Sequence, residues 1–143
     1  MITIGPFITK TSEQENEKAS NSYLMSLIAL IAGLPFPIIN LMATFFFWVA
    51  NRKATYFVRW HSTQALLSQF SLVFINSAAF WWTVSIAFYG EQISNLYLSY
   101  LMCAIIYNLL EFIATIYTAI QTRKGLHIQW WFYSDLTNTF CKA

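Results

Sequence analysis

Apolar positions along this chain come in three long blocks, 23–50, 66–89 and 96–120, separated by short polar or basic stretches. Crossing the ~30 Å hydrocarbon core of a bilayer takes about 20 helical residues, so each block is long enough to span. Residues 23–50 would measure ~40 Å as a single helix. Within them Leu34-Pro35-Phe36-Pro37 removes backbone donors, and a kink near Gly33–Pro37 is expected. The alternative is a re-entrant hairpin with two short arms. In the second block Ser62, Ala65, Gln69, Asn76, Ala79 and Thr83 recur at steps of three, four and seven. They form one small, polar helical face on an apolar rod, which belongs against another helix because lipid offers a polar side chain no partner. Gly90-Glu91-Gln92 makes a turn, and Thr122-Arg123-Lys124-Gly125 stops the third block.

The expectation is an all-α integral membrane protein with three transmembrane helices, the first proline-kinked. Residues 1–21 read as a polar N-terminal tail, 22–125 as the membrane domain and 126–143 as an interfacial C-terminal segment rich in Trp130, Trp131, Phe132 and Tyr133. The tail lacks the basic start and apolar core of a signal peptide. It also lacks an apolar face, so it reads either as a disordered tail or as a segment that orders against something else, a partner subunit being the candidate. The hinge between the first two blocks carries Arg52, Lys53 and Arg59 between Trp48 and Trp60, the mixture found where helices leave a membrane on the cytoplasmic side. With three spans, positive-inside counting puts the N-terminus out and the C-terminus in.

Composition agrees: 57% of the 143 residues are hydrophobic and only 10% charged, against roughly 25% charged in soluble domains. The net charge of +2 is carried beside apolar segments and implies no nucleic-acid partner. Cys103 and Cys141 lack metal-ligand spacing and read as free thiols. No phosphate loop, metal-ligand pair or nucleophile elbow is present, so no enzyme, cofactor or metal is expected.

Glu111 is the one ionisable group inside a block, close to the membrane midplane if its helix spans symmetrically. An ionised carboxylate facing lipid costs several kcal/mol, so it must be neutral, paired or in a wet cavity. Asn108 shares its face, Asn40 and Asn76 lie at comparable depth, and Gln69 and Asn76, whose levels bracket Glu111, are its expected partners. At the cytoplasmic interface, Arg59 and His61 of the hinge are expected to meet Asp135.

The hinge also carries a resemblance. Arg52-Lys53, Arg59-Trp60-His61, Ala65-Leu66 and Gln69, with Glu111 and a closing Ser134-Asp135, resemble the Tic-twenty family of chloroplast inner-envelope import subunits and its small bacterial relatives. The resemblance implies a bacterial inner-membrane or plastid inner-envelope protein. In it the chain is a non-enzymatic subunit of a larger membrane assembly, associated with protein translocation or insertion. The alternative is a small-solute or ion channel formed by self-association around the Glu111 face.

Overall fold

The computed structural model describes residues 2–7, 10–33 and 37–141. In chain order the elements are β1 (Ile2–Gly5), α1 (Glu13–Gly33), α2 (Pro37–Asn51), α3 (Tyr56–Tyr89), α4 (Asn95–Arg123), β2 (His127–Trp130) and α5 (Trp131–Phe140). Local chemistry sets most of their ends. Ser12 and Glu15 form a reciprocal capping box: Ser12 N donates to Glu15 Oε2 at 2.7 Å and Glu15 N to Ser12 Oγ at 3.3 Å. That donated N–H holds the Glu15 carboxyl below its ordinary pKa. Pro37 opens α2 at the position where its missing N–H costs least. Gly90, at φ 70°, ends α3 in the left-handed region, and Ser94 caps α4 by accepting from Tyr97 N.

α3 and α4 are long and apolar enough to cross a membrane; at 1.5 Å per residue their 34 and 29 residues measure about 51 and about 44 Å. They run antiparallel, tied by Asn76–Asn108 and by Thr83 Oγ1 to Tyr97 OH at 2.9 Å. The first apolar block departs from expectation. Instead of one kinked span it forms two helices, α1 and α2, packed on each other. Near the start of the block, Tyr23 touches His61 of α3; near its end, Trp48 donates to Thr63 of the same helix. One continuous rod would hold those positions nearly 40 Å apart, so the chain goes out and returns. The expected kink itself falls on residues 34–36, outside the described residues. The three-span count therefore gives way to two candidate spans preceded by a helical hairpin.

The N-terminal strand packs at the hinge end. β1 pairs antiparallel with β2, Ile2 opposite Trp130 and Gly5 opposite His127. Ser20 Oγ donates to Ala119 O at 2.8 Å, and Glu17 approaches Arg123 at 3.8 Å. The tail thus folds against the end of α4 in the same chain, and both termini share the hinge side of the molecule. Gly125 (φ 81°) lets the chain turn there: a Cβ would meet Asn16 Nδ2 at 2.9 Å.

The core lies at this hinge end and is unusually polar. Fully buried side chains include Trp60, Tyr23 and Phe57, but also His61, Gln64 and Gln69. Beyond Leu72, α3 is half-buried or exposed, with Phe74, Trp81, Phe88 and Tyr89 on its surface.

Candidate functional site

α1, α2, β2 and α5 all pack around the first half of α3, so residues 60–65 are buried on every side of the helix. A buried polar group costs roughly 1–3 kcal/mol if left unpaired, and the chain meets this cost with a continuous network. Gln64 Nε2 donates to Tyr23 OH at 2.8 Å and to Ile128 O at 3.2 Å, and Gln64 Oε1 accepts from Trp130 N at 3.1 Å. The Gln64 side chain therefore acts as a surrogate strand on β2.

Tyr23 OH, accepting from Gln64, has its proton free for His61 Nδ1 at 2.8 Å. That assigns the His61 proton to Nε2, which faces His127 Nδ1 at 3.2 Å; the His127 proton then sits on Nε2. Tyr23, His61 and His127 form one directed chain from α1 through α3 to β2. Phe7, Phe57 and Trp60 wall His127 with ring centroids at 5.0, 6.4 and 4.3 Å. Burial among these rings pushes the His127 imidazole down to about 4.

A second group lies deeper along α4. Trp130 Nε1 donates to Thr118 Oγ1 at 2.7 Å. Tyr133 OH meets Ser71 Oγ and Tyr107 OH, the latter at 2.9 Å. Burial, with Glu111 nearby, pushes the Tyr133 phenol above its ordinary range. Glu111 is 7% exposed. Its carboxyl faces the Ser68 hydroxyl, while Oε1 has no hydrogen-bond partner among the described residues.

The residues singled out in the sequence fall in different places. Asn76 and Asn108 pair with each other through two amide bonds, 2.9 and 2.7 Å, so Asn76 is not the partner of Glu111. Gln69 is buried beside Ser68. The side chain of Asn40 lies outside the described residues. Arg59 and Asp135 form no ion pair among the described residues; Asp135 is exposed, and the Arg59 guanidinium lies 6.0 Å over the Tyr56 ring. His61 is wholly buried and bonds Tyr23 and His127 instead. The hinge still docks on the C-terminal segment, through neutral groups: Trp60 Nε1 donates to Asn138 Oδ1 at 2.7 Å and Tyr56 OH to Cys141 O at 3.3 Å.

Sequence reading missed Tyr23, Gln64 and the link between the two histidines. Their separations, 38 to 66 positions, leave no periodic trace. No three of His, Cys, Asp and Glu gather as metal ligands among the described residues.

A family model described as "Magnetosome magnetite crystal formation protein family" matches residues 19–137. No curated protein and no solved structure matches the chain. The family match overturns the Tic-twenty resemblance, whose motifs are short and degenerate. The translocation role, the plastid envelope and the ion-channel alternative fall with it.

Proposed function

The chain belongs to the magnetosome magnetite crystal formation protein family, and from that premise we propose that it is a non-enzymatic membrane component of the magnetosome acting in magnetite crystal formation. The observation that carries this reading is the length of the match, residues 19–137, which takes in α2, α3, α4 and β2 whole and most of α1 and α5. In this reading α3 and α4 cross the bilayer, and the network around Gln64 and His61 is a folded head on one face. The helices exceed a ~30 Å core by about 14 to 21 Å, and that surplus is at the polar hinge end.

Charge supports a side for the head. Lys10, Lys18, Arg52, Lys53, Arg59, Arg123 and Lys124 lie at the hinge end, against Glu91 in the opposite loop. By the positive-inside rule the head is cytoplasmic and the 90–94 loop faces the magnetosome lumen. Other membrane proteins are the expected company of such a head.

Deleting the gene in cells that form magnetosomes, followed by electron microscopy of the crystals, tests the role. Smaller or fewer crystals, restored by the intact gene, are the expected result. Crystals of unchanged size, number and shape would contradict it.

A further inference from the structure

Between α4, β2 and α5 lies an open cavity of about 360 Å³, lined by Glu111, Tyr107, Trp130, Trp131, Phe132 and Tyr133. Among the described residues that line it, Glu111 alone carries a carboxyl or cationic group, and this carboxylate is more than nine-tenths buried with Oε1 unpartnered among the described residues. Ile2 and Ala114 complete the lining, and the other five walls are aromatic rings. A carboxylate set among ring faces suits an organic ammonium, which gains both the ion pair and cation–π attraction. A divalent metal ion would need six or more oxygens, or a tetrahedral N/S set, and the lining supplies neither.

We propose that this pocket binds the ammonium headgroup of a zwitterionic phospholipid such as phosphatidylethanolamine. Three observations favour a lipid as the source of the ammonium. The rim is apolar and exposed, with Trp131 75% and Phe132 61% accessible, and gives acyl chains a surface. The neighbouring face of α4 continues it with Leu110 and Ile113, both exposed. Counting about 20 residues of α4 from Asn95 brings the hydrocarbon boundary to within roughly one helical turn of Glu111. The carboxylate therefore lies where headgroups reach, rather than at the midplane that a symmetric span would give it.

The test is lipid retention by the full-length protein in mild detergent, read by native mass spectrometry with equal amounts of phosphatidylethanolamine and phosphatidylglycerol. The protein should retain phosphatidylethanolamine about tenfold over phosphatidylglycerol, the ratio given by ~1.4 kcal/mol. Glu111→Gln keeps the side chain's size and should bring the ratio to near one. Trp131→Ala, an exposed position whose loss leaves the core intact, should lower it about threefold through lost cation–π contact. Equal retention of both lipids by the unaltered protein, or an undiminished preference in folded Glu111→Gln, would overturn the proposal. Retention of neither lipid, together with binding of millimolar ethanolamine that Glu111→Gln abolishes, would overturn the lipid assignment and leave a soluble ammonium site. The readout is lipid and not crystals, so it stands or falls apart from the role in magnetite formation.

Discussion

Gln64 is the residue on which most of the polar head depends, because it joins α1, α3 and β2 through one amide. Gln64→Leu removes three hydrogen bonds and strands the Trp130 N–H, which should cost about 2–4 kcal/mol. Thermal unfolding in detergent should show this loss, while Gln129→Leu on the half-buried neighbour should stay within roughly 0.5 kcal/mol. His127 adds a dependence on pH. Its folded pKa, about 4, lies below its ordinary 6.5, so between those values the unfolded chain takes up a proton that the native state refuses. Stability should be full above about pH 6.5, fall as pH is lowered towards 4, and level off below. A His127→Gln variant should show a shallower slope; a slope unchanged in the variant would assign it elsewhere. At this scale the sequence told only part of the story. It marked Glu111, Asn76 and Asn108 as polar groups on helix faces, since periodicity reveals a face. It could not reveal which faces meet, and so it gave Asn76 to Glu111 when Asn108 holds it.

Among the elements, the C-terminal ends of α3 and α4 were legible because they are written locally, in Gly90 and Lys124-Gly125. The start of α1 is set by the Ser12-x-x-Glu15 box, which went unread inside a stretch whose polarity reads as a tail. Ser12→Ala should lower stability by about 1 kcal/mol if the capping box holds the helix start, measurable as loss of helical signal on heating. Gly125→Ala should cost more than about 1 kcal/mol, since it combines a left-handed backbone with the 2.9 Å approach to Asn16. The Asn76–Asn108 pair joins the two candidate spans away from the head. Asn76→Ala and Asn108→Ala should show a coupling of about 0.6 kcal/mol in a double-mutant cycle, the mean for hydrogen bonds between membrane helices. Strict additivity would mean that the amides do not meet in the folded protein.

For the whole molecule, the apolar blocks in the sequence announced a membrane protein, and their number misled about its topology. Pro35 and Pro37 allow either a bend or a reversal, and hydropathy alone does not separate the two. What separates them is long-range: β1 pairing with β2, Ser20 with Ala119, and Trp48 returning to the Thr63 level. These contacts gather both termini and the hinge into one head, leaving the α3–α4 turn at the far end. The most direct test is side-specific cysteine labelling in intact sealed vesicles, with Cys103 and Cys141 first replaced by serine. Single cysteines at Thr3, Ala54 and Glu91 sample the N-terminal strand, the hinge and the far turn. Thr3 and Ala54 should be labelled from one side of the membrane and Glu91 from the other. Labelling of Thr3 together with Glu91, opposite Ala54, would restore an odd number of crossings and contradict it.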